Sequence, residues 1–176
     1  VAVTENFDGQ NLVDYSKFEN AKFLSDDGKG VLSETTMYRA ILEAKKYDKI
    51  IMIHAESELS PIDYRIAEDL MTLRDVYLAK RLDGRIHMCH VSTIDSLDAV
   101  RRGKKEGVKV TCEITPHHIA LWDNSYRVNP PIREKADVEA LIEGILDGTV
   151  DAIATDHAPH TAEDKANGSP GLVGLE

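Results

Sequence analysis

The sequence has only two cysteines and no long apolar run. Cys89 and Cys112 fit no zinc-finger spacing, and both lie in apolar stretches, which favours buried free thiols in a reducing compartment over a disulfide. No stretch approaches the roughly 18 apolar residues that a transmembrane helix needs, and the first residues carry no signal-peptide pattern. We therefore expect a cytoplasmic protein that does not span a membrane.

Basic residues are also in short supply. The chain has 21 Lys and Arg against 31 Asp and Glu, for a formal net charge of -10. A nucleic-acid-binding protein normally carries a basic footprint, and an anionic membrane surface attracts polybasic segments, so neither partner is expected. Hydrophobic residues make up 42% of the 176 residues, enough for a core. The length predicts one domain or part of a larger one.

Short apolar stretches alternate with helical patterns along the chain. Strands are predicted at 21–24, 49–53, 85–89, 108–114 and 150–154, and helices at 34–47, 63–82, 93–105 and 134–146. A capping box that begins at Ser92 would open the third helix. The second helix is predicted to bury the side chains that recur every three or four residues, namely Ile66, Leu70, Leu73, Val76 and Ala79. Five apolar strands separated by helices predict an α/β fold with a parallel sheet that is buried on both faces.

Ionisable residues lie at or just past the ends of four predicted strands, at Asp27, His54, His90 and Asp156. In a β/α barrel the carboxyl ends of the strands meet at one face, so these side chains would converge. Two imidazoles and two carboxylates without a thiolate form a ligand set that suits zinc, or manganese and similar divalent ions.

Each of these residues, taken alone, has a simpler structural interpretation. A single histidine at a strand end is more often hydrogen-bonded for structure, and an aspartate there more often forms a turn or caps a helix. His54 and His90, however, repeat one context, an apolar strand followed by a histidine and a polar residue. Residues 155–160 place three ionisable groups in a six-residue segment, which a structural turn does not need. The sequence therefore predicts a metal site.

Three further histidines are given supporting or structural roles. His117 and His118 follow the fourth strand and could be ligands, donors behind the ligands, or structural residues, of which the last two are favoured. His87 lies two residues before Cys89, so it shares the strand face of Cys89 and not that of His90. We interpret His87 as structural.

Several segments resemble the dihydroorotase family, in the bacterial-type (class I) branch of the amidohydrolase superfamily. They follow one another along most of the chain, at 25–28, 53–56, 89–93, 113–118, 128–133, 154–161 and 174–176. The most specific are Thr-Asp-His-Ala-Pro-His at 155–160 and Asn-Pro-Pro at 129–131. The Ser-Asp-Asp-Gly segment at 25–28 favours this branch over relatives that place a carboxylated lysine there.

The resemblance implies a distorted TIM-type (β/α)8 barrel in which the five strands are the fourth to the eighth. Residues 1–176 would be part of one barrel domain, without its first three strands, their His-x-His and the flanking β-sandwich. Four residues would hold metal, namely Asp27 as a bridge, His54 and His90 on the second ion, and Asp156 on the first ion and as general acid/base. Four others would contact substrate, namely Asn129, His160 facing its carboxylate, and Pro170 and Gly171 in a loop.

The activity implied is the interconversion of dihydroorotate and N-carbamoyl-L-aspartate in de novo pyrimidine (UMP) biosynthesis. It would use one or two zinc ions, with two expected. Barrels of this kind often dimerise, and aspartate transcarbamoylase is a candidate partner. One alternative is another cyclic amidohydrolase, of the hydantoinase or allantoinase kind, although those usually carry a lysine where Asp27 stands. The other is an inactive partner of aspartate transcarbamoylase, which the missing His-x-His favours and the retained metal-site residues oppose.

Overall fold

The computed structural model describes residues 1–172, in which strands and helices alternate in the predicted order. Two short 3-10 turns, Glu5–Phe7 and Tyr15–Lys17, precede the sheet. The strands are β1 Phe23–Ser25, β2 Ile50–Ile53, β3 Arg85–Met88, β4 Lys109–Ile114 and β5 Ala152–Ile153. The helices are α1 Glu34–Lys46, α2 Tyr64–Leu82, α3 Ile94–Lys105, α4 Pro116–Ala120, α5 Lys135–Leu146 and α6 Ala162–Ala166.

The five strands form one sheet in the order β1-β2-β3-β4-β5, and every neighbouring pair is parallel. A doubly wound sheet reverses its strand order at a switch point, whereas a β/α barrel adds each new strand beside the last. The strand order is therefore that of a barrel segment. The predicted α/β fold with parallel strands is confirmed.

Only one face of the sheet is packed within residues 1–172. Side chains such as Leu24, Ile51, Ile86 and Ile114 point toward the helices and are at most 1% exposed. On the opposite face, Phe23 is 53% exposed, and Ile50 and Met52 are partly exposed. The expectation that the sheet is buried on both faces is therefore wrong for the part of the chain that the structure describes. The open face is the one that lines the inside of a barrel.

Helix α2 buries a different face from the predicted one. Ile66, Leu70 and Leu73 are 46%, 50% and 42% exposed, although Val76 and Ala79 are buried as expected. The buried face includes three polar side chains, Glu68, Thr72 and Asp75. Two of these are ionisable and have partners, since Asp75 accepts hydrogen bonds from Arg74 and Glu68 accepts them from groups described below. The buried face therefore combines apolar side chains, among them Ala67 and Met71, with polar ones.

Helix caps explain where several helices begin. Ser33 caps α1 by accepting from the backbone N–H of Thr36 (3.2 Å). The capping box predicted at Ser92 is wrong, because the N-cap of α3 is Thr93, whose hydroxyl accepts from Ser96 N–H (3.1 Å). Two short helices, α4 and α6, were not predicted. Helix α4 begins with Pro116, at a position that suits proline because its missing N–H is not needed there.

Both cysteines are free and buried, as predicted. Within residues 1–172, no helix has the length and apolar character required to cross a membrane.

Candidate functional site

The predicted ligand residues all follow the carboxyl ends of strands. Asp27 lies two residues after β1, His54 directly after β2, His90 two residues after β3 and Asp156 three residues after β5. Because the strands are parallel and adjacent, these ends lie along one edge of the sheet.

The two adjacent aspartates after β1 have separate tasks. Asp26 is 3% exposed and accepts hydrogen bonds from the backbone N–H groups of Val3 (2.8 Å) and Thr4 (3.1 Å), and from the Thr4 hydroxyl. It thereby holds the N-terminal segment against the sheet. Asp27 is exposed, and its Oδ1 lies 3.8 Å from Nδ1 of His54.

Three ligand atoms converge at this edge. His54 Nδ1 lies 2.9 Å from His90 Nε2, and one atom from each of Asp27, His54 and His90 lies within 4.8 Å of the other two. Both imidazoles are buried and meet edge to face. Burial, and then the neighbouring His54 and His118, hold the pKa of His90 well below its usual range. His90 is therefore neutral and keeps a lone pair, as a metal ligand requires. We call these three residues the triad.

Glu56 joins the triad to two other elements through one oxygen atom. Its Oε2 lies 2.8 Å from His54 Nε2, and it accepts from the Tyr64 hydroxyl (3.0 Å) and from Asn129 Nδ2 (3.2 Å). Burial alone would raise the pKa of Glu56, but hydrogen bonds from His54, Ser60 and Tyr64 outweigh it and lower the pKa to about 2. Glu56 is therefore an ionised carboxylate, which only accepts. His54 Nε2 must then carry the hydrogen, which leaves the lone pair on Nδ1, facing the triad.

A buried ion pair supports the same loops from behind. Glu68 on α2 accepts from Arg133 Nη2 (3.0 Å) and from the backbone N–H of Ser92 (2.9 Å), and Arg133 Nε donates to the Ser92 hydroxyl (2.9 Å). The Arg133 guanidinium also lies 5.6 Å from the centre of the Tyr64 ring. These contacts tie the loop after β3 and the segment after Asn129 to helix α2.

Asp156 is near the triad but is not one of the atoms that converge within 4.8 Å. Burial, and then the negative charge of Asp27, raise its pKa. Its φ of 47° and the φ of 36° at His90 lie in the left-handed region, which non-glycine residues rarely adopt and which is typical of functional sites.

The side chain of His117 lies at the site, and its Nε2 has no hydrogen-bond partner in the described part of the chain. This nitrogen is buried and lies 4.0 Å from Asp156 Oδ2. Its neighbour His118 has partners on both nitrogens, at Thr115 Oγ1 (2.7 Å) and the Pro130 carbonyl (3.0 Å). Burial lowers the pKa of His117 to about 4, and burial with the neighbouring His117 lowers that of His118 to about 3. Both rings are neutral at pH 7.

The residues predicted to contact substrate surround the same edge. Asn129 is partly buried and bonded to Glu56, whereas His160 is exposed. The Pro170-Gly171 loop packs on the segment after β5. A side chain at Gly171 would place its Cβ 2.5 Å from the Ala158 carbonyl and 3.2 Å from the His160 ring, and the φ of Gly171 is 118°. The motif at 174–176 lies outside the described residues.

No role was predicted for Glu56, Arg133 or Glu68, and a supporting or structural role was predicted for His117. The available signal for Glu56 was its place two residues after a strand-end histidine. Glu68 had none, because a charged residue on a helix is usually solvent-exposed.

The triad fits a divalent metal ion in both chemistry and spacing. Two imidazoles and a carboxylate are borderline ligands that zinc accepts. Ligand atoms about 2.0–2.2 Å from a tetrahedral ion lie roughly 3.3–3.6 Å apart, close to the observed separations of 2.9 and 3.8 Å.

No protein-family model matches the chain, whereas comparisons with curated proteins and with solved structures both find similar proteins. Among curated proteins it is similar to a dihydroorotase of Clostridium botulinum, at 52% identity over 182 residues, which cover 100% of this chain and 46% of that protein. It is also similar to a dihydroorotase of Fusobacterium nucleatum, at 41% identity over 99% of this chain and 48% of that protein. The chain thus spans about half the length of these curated relatives, and the resemblance seen in its motifs is confirmed.

Solved structures extend the likeness to the fold. A D-hydantoinase matches with a TM-score of 0.81 and 16% identity over 93% of this chain and 47% of that one. A dihydropyrimidinase from Brevibacillus agri matches with a TM-score of 0.77 and 19% identity over 86% of this chain and 42% of that one. The expected TIM-type amidohydrolase fold is confirmed for this part of the barrel.

Proposed function

We propose that the protein containing this chain is a metal-dependent cyclic amidohydrolase that interconverts dihydroorotate and N-carbamoyl-L-aspartate in de novo pyrimidine (UMP) biosynthesis. The observation that carries the proposal is the 52% identity to a dihydroorotase along the whole chain. The converging ligand atoms of the triad support it. Residues 1–176 would form part of one barrel domain, and the protein would be cytoplasmic.

Zinc is the proposed metal, with two ions as the working expectation. Asp27 would bridge them, His54 and His90 would hold one, and Asp156 would contact the other. When bound, zinc lowers the pKa of a coordinated water to about 7 and polarises the carbonyl that is attacked. Glu56 would act as a positioning residue, since its carboxylate fixes the His54 hydrogen on Nε2.

Asp156 is proposed to move the proton. Its carboxylate would accept a proton from the attacking water and then deliver it to the ring nitrogen, which leaves as the amide bond breaks. Its raised pKa suits this exchange, because a carboxylate with a higher pKa is a stronger base and still returns the proton.

Substrate would lie against Asn129, His160 and the loop at Pro170 and Gly171. The substrate carboxylate would face His160 in a charge-assisted hydrogen bond. Since the chain has a net charge of -10, cations near the site must offset the general repulsion of an anion.

A second candidate is a hydantoinase-like amidohydrolase, which the structural matches favour. Those matches are 16–23% identical, against 39–52% for the dihydroorotases compared. The third candidate is an inactive partner of aspartate transcarbamoylase. A homodimer is compatible with both the dihydroorotase and the hydantoinase-like candidate.

The test is turnover by the purified, zinc-loaded full protein with dihydroorotate, hydantoin and dihydrouracil as substrates. We expect turnover of dihydroorotate. Preferred turnover of hydantoin or dihydrouracil would establish the second candidate. No turnover together with binding of aspartate transcarbamoylase would establish the third.

Asp156→Asn tests the proton role within the same assay. We expect turnover to fall by about 10²–10⁴-fold, the typical contribution of a general acid or base, while zinc content is largely retained. Asp123→Asn is the matched control, because Asp123 is exposed and its φ of 48° is almost the same as the φ of 47° at Asp156. Loss of zinc along with turnover would show that Asp156 mainly binds metal, and unchanged turnover would remove it from the mechanism.

A further inference from the structure

The side chain of Lys165 on α6 is surrounded by backbone carbonyl oxygens. Its Nζ donates hydrogen bonds to the carbonyls of Arg127 (2.7 Å), Ser169 (3.0 Å) and Gly171 (2.8 Å). It also lies 4.2 Å from the centre of the Tyr126 ring, within the range of a cation–π contact. A lysine ammonium has three N–H donors, so each of them has a carbonyl acceptor here. The charged end of this side chain is therefore committed to the backbone of neighbouring segments.

These contacts join two segments that are distant along the chain. One is the 168–171 loop, which ends at Gly171, and the other is the segment that leads from Arg127 to Asn129. Both segments carry residues proposed to contact substrate. The Arg127 carbonyl is shared between them, because it also accepts from the backbone N–H of Gly171 (3.1 Å). The Lys165 ammonium thus lies at the junction of two segments that would bind substrate together.

Three carbonyl oxygens around one point are stable only with a positive group between them. Each oxygen carries a partial negative charge, so the three repel one another when no cation separates them. An ammonium is compact and directs its donors to three sides, whereas the guanidinium of arginine is a flat fork. Methionine has a similar length but neither charge nor donors. Replacing Lys165 by methionine would therefore release the 168–171 loop from the segment at Arg127.

We propose that Lys165 is a positioning residue, which holds the 168–171 loop against the segment at Arg127 and so fixes the loop relative to Asn129. This inference rests on the proposed function, because the loop and Asn129 contact substrate only within it. All three N–H donors of Lys165 are used by carbonyls, so the ammonium acts through the loop and not on the reacting atoms. Its loss should weaken substrate binding and leave proton transfer by Asp156 largely intact.

The test compares the steady-state kinetics of the zinc-loaded full protein and its Lys165→Met variant, with dihydroorotate as substrate. We expect KM to rise by at least about tenfold and kcat to stay within about threefold of the parent, which is the pattern of lost uniform binding. Lys165→Arg keeps the charge without the compact shape, so its KM should lie between those of the parent and Lys165→Met. Lys165→Arg also provides the comparison with the parent if Lys165→Met does not fold.

Lys104→Met is the matched control. Lys104 is also partly buried, and its Nζ donates to the Thr149 carbonyl (2.7 Å) and to the Asp151 carboxylate (2.6 Å). These partners precede β5, so they lie at the edge of the sheet opposite the site. We expect KM and kcat of Lys104→Met to stay within about twofold of the parent. Circular dichroism of each variant reports whether it folds.

Hydrogen exchange provides a second measurement that needs no turnover. The backbone N–H of Gly171 is bonded to the Arg127 carbonyl, so its exchange rate reports whether the loop is held. We expect this N–H to exchange at least about tenfold faster in Lys165→Met than in the parent, and at the parental rate in Lys104→Met.

The two measurements together decide the proposal. Unchanged exchange at Gly171 in Lys165→Met would overturn it, because the loop would then not depend on the ammonium. Faster exchange with a parental KM would overturn it too, since the loop would not affect substrate binding. A fall in kcat at a parental KM would place Lys165 in the chemical step instead. A parent that does not turn over dihydroorotate would remove the proposed function and this inference with it, whereas a parental KM in Lys165→Met beside an active parent would remove this inference alone.

Discussion

Replacing Glu56 by glutamine tests how far one oxygen atom controls metal binding. In the parent, Glu56 Oε2 is bonded to His54 Nε2, the Tyr64 hydroxyl and Asn129 Nδ2. Glutamine keeps one acceptor oxygen but removes the negative charge. The bond that fixes the His54 hydrogen then changes from a charged to a neutral hydrogen bond.

The size of the effect follows from that change. Hydrogen bonds to charged groups contribute roughly 1.5–3 kcal/mol and neutral ones roughly 0.5–1.5 kcal/mol. The difference of about 1–1.5 kcal/mol corresponds to roughly a tenfold loss of affinity. If the glutamine NH₂ turns toward His54, the imidazole hydrogen of His54 moves from Nε2 to Nδ1. That hydrogen then blocks the lone pair that faces the triad. We therefore expect zinc to bind Glu56→Gln about 10- to 100-fold more weakly.

The assay is competition for zinc against a chromophoric chelator at fixed pH. Tyr64→Phe is the control, because it removes another donor to the same oxygen without touching the bond to His54. We expect Tyr64→Phe to lose less than about tenfold in affinity. Parental zinc affinity in Glu56→Gln would refute the argument, and so would an equal loss in both variants.

Three further predictions concern stability. Gly30→Ala should lower the free energy of unfolding by more than about 1–2 kcal/mol, because the residue has a φ of 64° and its new Cβ would lie 2.7 Å from the His54 carbonyl. Arg133→Met should lower it by about 3–5 kcal/mol, because it leaves the Glu68 carboxylate buried without its cation. His118, with its pKa near 3, stays neutral when the unfolded chain gains a proton below about pH 6.5. The free energy of unfolding should therefore decrease as the pH is lowered. His118→Gln should reduce the slope of this dependence by about 1.4 kcal/mol per pH unit between pH 6 and 4.

All three stability predictions are tested by urea unfolding, and each is compared with a control variant or with the parent protein. Gly28→Ala carries a similar φ of 75° but meets no atom within 4 Å, so it should cost less than Gly30→Ala. Equal costs would show that the close approach is irrelevant. Lys80→Met breaks an exposed pair with Glu106 and should change stability by less than about 1 kcal/mol. If the Arg133 variant changed it as little, the ion pair would not be structural. Parallel pH curves for the parent and His118→Gln would contradict the third prediction.

The sequence predicted the sheet well because a buried strand leaves a simple signal. Five short apolar stretches became five parallel strands, with ends shifted by at most two residues. The converging positions of Asp27, His54 and His90 followed from parallel strands alone, since strand ends share one edge. The roles of these residues stay predictions.

The sequence failed where polar contacts between distant segments decide the structure. The buried face of α2 includes Glu68, whose partners Ser92 and Arg133 lie 24 and 65 residues away along the chain. Local periodicity contains no information about such partners, so Ile66 and Leu70 were placed in the core and are instead about half exposed. Glu56 was missed for the same reason, because one of its partners is Asn129.

The in-order sheet also has a consequence for how such a site can change in evolution. Each strand delivers its own functional group through the loop that follows it, Asp27 after β1, His54 after β2, His90 after β3 and Asp156 after β5. A mutation or insertion in one loop can alter one group while the strands keep the others in place. Substrate preference could therefore drift loop by loop among descendants of one ancestor, whereas a change at Glu56 would have to be matched in two other segments at once.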